Sequence, residues 1–137
     1  MGLYLAVFDG DDEVAGVEVG SYEDFGVLRD YVANVLEGGQ AGSRFQTLMI
    51  HSDCDGEWST YECRELLAEL AAITAEMKSQ PPVPFASDWQ KKVAKSVGLT
   101  PSSAFESFID VDGEFVLDRV QHLVRVAIER NLPIIFQ

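Results

Sequence analysis

Residues 44–62, RFQTLMIHSDCDGEWSTYE, join three patterns whose reading decides the fold. RFQTLMI (44–50) is too continuously apolar for a solvated edge and reads as an inner strand. HSDCDGEWSTYE (51–62) sets acidic residues around Gly56 and then Trp58. Ser59 followed by Glu62 is a capping box, in which each side chain bonds the other's backbone N–H at a helix start. The helix it opens should run to about Met77, with Cys63, Leu66, Leu67, Leu70, Ile73 and Met77 on one face. Strand, acidic turn and amphipathic helix are thus expected in succession.

On the N-terminal side, residues 2–8 and 14–19 (VAGVEV) read as strands, and the turn-rich DGDDE between them predicts a hairpin. Ser21 with Asp24 is a second capping box. Phe25, Leu28, Val32, Val35 and Leu36 supply that helix's apolar stripe, and Gly38-Gly39 ends it. On the C-terminal side QPPVPF is a stiff connector. A helix from Asp88, capped by Ser87 with Gln90, turns Trp89, Val93 and Val97 to one side and stops at Gly98. Thr100-Pro101 can open a short helical turn. A helix over about 115–130 presents Val116, Val120, Leu123, Val124, Ala127 and Ile128, and PIIF makes a closing strand. Strands and helices mixed without strict alternation imply an α+β fold: a single domain over 1–137, with one main mixed or antiparallel sheet and helices packed on it.

With 137 residues and 47% apolar content the chain can bury a core without a metal or disulfide. It holds no run of about 20 apolar residues and no signal-peptide pattern, so a cytoplasmic location away from the membrane is expected. Cys54 and Cys63 are too few for a disulfide framework or a thiolate zinc site and read as reduced thiols. The net charge of −13 is unevenly placed: residues 1–76 carry 16 acidic and 3 basic side chains, whereas residues 77–137 carry 7 of each. Such a field repels nucleic acid and anionic membrane and speeds encounter with a basic partner.

The 51–62 loop admits several chemistries. Counted from His51, Asp53, Asp55, Gly56, Glu57, Ser59 and Glu62 fall at positions 3, 5, 6, 7, 9 and 12 of an EF-hand loop. Calcium is therefore the cation it could take, through Asp53, Asp55, Glu57 and Glu62. Against this, His51 stands where the first carboxylate belongs, Trp58 is large for its place, and a strand precedes the loop. The same residues also make a helix cap with Asx-turns, Gly56 taking positive φ and Trp58 covering the end of the core. A small enzyme could use His51 as a base with an aspartate, but no nucleophile, phosphate loop or second catalytic group accompanies it. Cys54, between two aspartates, is disfavoured as a thiolate. No catalytic residue and no required cofactor is assigned. A third use is partner binding, for which Asp11, Asp12, Asp53, Asp55, Glu57 and Trp58 are the candidates.

HSDCDGEWSTYECRELLAEL, with AIERNLPIIFQ at the end of the chain, resembles the immunity protein 70 family of bacterial polymorphic-toxin systems. The pattern falls on His51, Ser52, Asp53, Asp55, Gly56, Glu57 and Trp58, then Glu62, Leu66, Leu67 and Leu70, and finally Leu132, Pro133, Ile134 and Gln137. GSRFQTLMI has the family's look of a turn into a strand. The resemblance implies a non-enzymatic protein that binds and neutralises a cognate toxin. A basic nuclease would suit the acidic charge. A cation-binding module and a small enzyme are the competing readings.

Overall fold

A computed structural model describes residues 2–52 and 55–137. Strands β1 (Gly2–Asp9) and β2 (Asp12–Ser21) form the hairpin, both longer than expected. Gly10 takes φ 66° in the turn between them, the left-handed region a β-carbon penalises. Leu3, Leu5 and Val7 alternate into the core, where all three are buried. Two further strands complete an antiparallel sheet: β3 (Glu57–Trp58) and β4 (Ile134–Phe136), in the order β2-β1-β4-β3. PIIF is thus an inner strand, and the acidic loop itself supplies the edge.

The helices are α1 (Tyr22–Tyr31), α2 (Gln46–Met49), α3 (Thr60–Lys78), α4 (Asp88–Val97) and α5 (Val116–Arg130). Of the three expected capping boxes, Ser21 with Asp24 and Ser59 with Glu62 form in both directions, and at Ser87 the backbone N–H donates to the Gln90 side chain at 3.1 Å. Leu66, Leu70, Ile73 and Met77 of α3 are buried, and Leu67 is half-buried. Inside the helical layer the amide of Gln121 on α5 donates to the Thr74 hydroxyl on α3 at 2.8 Å, which satisfies both buried polar groups. Burial pushes the Cys63 thiol up to about 11, so it behaves as a small apolar core residue. The result is a single α+β domain, a four-stranded antiparallel sheet with helices packed against it.

Three local expectations are corrected. Residues 44–50 do not form an inner strand; Gln46–Met49 is one helical turn. The backbone N–H groups that a strand would share with neighbours are taken by carboxylates. Glu37, itself buried, accepts from Gly42, Arg44 and Phe45 at 2.9–3.1 Å, and Glu69 of α3 accepts from Thr47 and Leu48 at 3.1 and 3.0 Å. Phe45 and Leu48, three residues apart, therefore point inward, while Ile50 is 62% exposed. Val35 leaves the apolar stripe because α1 continues into a π-helical turn, Val32–Leu36, closed by the Glu37 N–H on the Val32 carbonyl. The wider turn brings Leu36 inward and leaves Val35 outside. The helical turn expected at Thr100-Pro101 forms later, as a 3-10 turn at Phe105–Ser107.

Candidate functional site

The 51–62 loop is tied down from three sides. His51 is half-buried; its Nδ1 and Nε2 lie 2.8 Å from the carbonyls of Ser52 and Glu57, spanning the loop. Its ring stacks on Phe136 of β4 at 4.3 Å. Trp58 meets the same phenylalanine edge-on at 4.6 Å and donates its indole N–H to the Thr47 carbonyl at 3.1 Å. Arg29 of α1 reaches across to the carbonyls of Leu48 and His51. Gly56 takes φ 84°, and its carbonyl accepts the Phe136 N–H at 3.0 Å, which leads the chain into β3. His51 is thus a tie rather than a free base.

The expected site residues separate. Trp58 is 0% exposed, so it belongs to the core and offers a partner nothing. This corrects its place among the partner-binding candidates. Asp55 and Glu57 are exposed at the loop, and Asp11 and Asp12 are exposed at the hairpin turn. Asp53 and Cys54 lie outside the described residues. Sheet pairing sets Gly56 level with Leu5 in the middle of β1, whereas the hairpin turn follows Asp9 at its end. With about 3.3 Å per residue and about 4.8 Å between strands, these two acidic groups stand roughly 20 Å apart, at opposite corners.

Two ligand groups of an EF-hand loop are engaged elsewhere. An EF-hand takes the position-7 carbonyl and both oxygens of the position-12 glutamate. Here the Glu57 carbonyl faces the His51 ring, and Glu62 Oε1 accepts the Ser59 N–H at 3.1 Å. Among the described residues no group of three or more His, Cys, Asp or Glu side chains is placed to hold a metal ion.

Beside the loop is a cavity of about 260 Å³ lined by Gln46, Thr47, Ile50, His51, Glu62 and Glu65. A strand over 44–50 would not have brought Gln46, Thr47 and Ile50 to this recess, so the apolar run gives no sign of it. One signal was present: Tyr61 and Glu65, four apart, share a helix face away from the leucine stripe, and Tyr61 is 69% exposed.

Residues 3–136 match the sequence profile of immunity protein 70. The chain belongs to that family. No curated protein and no solved structure matches it. Membership in an immunity-protein family accords with toxin neutralisation and implies a cognate toxin as partner. The two stretches that carry the immunity protein 70 resemblance, distant in sequence, are neighbours in space: Glu57 pairs with Ile135, and Trp58 with Ile134. Much of that pattern therefore builds the junction of sheet, loop and α3. No helix among the described residues is long and apolar enough to cross a membrane.

Proposed function

We propose that this immunity protein 70 member neutralises a basic toxin domain, such as a nuclease, by covering it in a stoichiometric complex in the cytoplasm, without chemistry of its own. The observation that carries the reading is the charge: the whole net −13 arises from residues 1–76. An acidic surface can occupy a site built for phosphate, and its field accelerates encounter with a cationic partner. Asp55 and Glu57 supply the contact side of this surface, and Asp11 and Asp12 add long-range attraction from the far corner.

The test is co-expression with a candidate cognate toxin domain. The toxin domain should kill cells alone and spare them in the presence of this protein. Purified components should associate more slowly as salt rises, because exposed charges are screened over about 10 Å at 0.1 M ionic strength. A toxin domain that kills regardless and fails to bind would end the reading.

A further inference from the structure

The cavity between α2 and the first turns of α3 is distinct from the exposed carboxylates Asp55 and Glu57. Glu62 and Glu65, three apart on α3, both line it. Among the described residues no Lys or Arg pairs with either. Glu65 accepts only a long 3.4 Å bond from the Thr47 hydroxyl, and Glu62 keeps a second oxygen beyond the one used on Ser59. Ile50, 62% exposed, forms an apolar part of the wall, and Tyr61, 69% exposed, stands one turn before Glu65. His51 is held by both nitrogens and presents no free ring donor. The larger cavity, about 440 Å³ between β2 and α4, is lined by one charge alone, Glu18.

We propose that the smaller cavity receives an arginine side chain of the partner protein, its guanidinium between Glu62 and Glu65 and its aliphatic stem against Ile50. Guanidinium carries five N–H donors in a rigid planar fork, suited to two carboxylates and the Thr47 and Gln46 oxygens together, whereas lysine offers a compact point charge. The arginine stem covers apolar surface while its head stays among acceptors. Isoleucine and paired acids around one recess make an anchoring point, with the looser acidic surface as its rim. The identity of the partner rests on the toxin reading; the recess itself can be tested without it.

The first arm titrates the protein with N-acetyl-arginine amide to millimolar excess and follows backbone amide NMR shifts. Saturable shifts confined to Gln46, Thr47, Ile50, Glu62 and Glu65, weakened in Glu65→Gln and lost in Glu65→Lys, are expected. Glu65 is exposed and outside the capping box, so both variants should fold; an unchanged amide spectrum elsewhere checks this. Absent shifts, or shifts spread over every acidic segment, would overturn the proposal. The second arm uses the toxin domain. Glu65→Lys should weaken binding by about 30-fold or more through faster dissociation, whereas Asp11→Lys with Asp12→Lys should act through slower association. Toxin binding that Glu65→Lys leaves within about threefold would also overturn it. Arginine amide seated in the recess of a protein that binds no toxin domain would support the recess and remove the toxin reading.

Discussion

The hairpin tip and the corner formed by α2, the 51–62 loop and α3 are both rich in carboxylates, and they use them differently. At the tip, Asp11 and Asp12 stand exposed in a tight turn. At the corner and its approach, Glu37, Glu69 and Glu62 accept backbone N–H groups and shape the chain, while Asp55, Glu57 and Glu65 remain outside. Acidity by itself therefore does not mark a contact surface. Only the corner combines outward charge with a recess, exposed apolar side chains and a rigid backing from the core.

The largest expected effect tests that backing. Trp58→Ala should remove about 3–5 kcal/mol of stability in urea unfolding, through the cavity left beside Phe136 and the lost indole bond. A loss near the cost of an ordinary surface change would mean that the corner is not anchored by the core. Glu37→Ala comes next, at about 1–3 kcal/mol, because three backbone N–H groups lose their acceptor. Faster amide hydrogen exchange over residues 42–48 should accompany it.

Asp24 offers a subtler comparison, a carboxylate that caps α1 and also holds α4. Burial alone would raise its pKa. Hydrogen bonds from the Ser87 hydroxyl, the Ser21 N–H and hydroxyl, and the Trp89 indole outweigh burial and hold it below the usual carboxylate range. A depressed folded pKa gives stability that is fully present above the unfolded value of about 3.9 and is lost as pH falls through the folded value. Melting temperatures taken downward from about pH 5 should show this loss, and Asp24→Asn should flatten it. An equally steep acid loss in the variant would move the origin to other carboxylates. The smallest effect belongs to the tip: Asp11→Lys with Asp12→Lys should change unfolding stability by about 0.5 kcal/mol or less. A larger change would show that the turn carboxylates hold structure after all.

Local chemistry in the sequence carried much of the fold. Ser21 with Asp24 and Ser59 with Glu62 announce helix starts because a cap is satisfied within four residues. The leucine face of α3 and the valine face of α5 are periodic, and both are buried. The 44–50 segment forms a helical turn where a strand is expected, because an apolar run has the same appearance in a strand and in a buried helical turn. What decides between them is where the backbone N–H groups find acceptors, and here these are Glu37 and Glu69, the latter more than twenty residues away. The stacking of His51 on Phe136 and the reach of Arg29 to the loop carbonyls had no local sign either.

By itself the sequence determined the α+β class, the helix starts, the glycine-permitted turns, the concentration of acidic charge in residues 1–76 and the family resemblance. Each follows from interactions among near neighbours in the chain or from composition. Tertiary structure alone decided that β4 lies inside the sheet, that Trp58 is core, that Asp11 and Asp55 occupy opposite corners, and that Glu62 and Glu65 share a recess with Thr47 and Ile50. Those outcomes depend on which backbone groups and apolar faces, remote in sequence, satisfy one another when the chain closes.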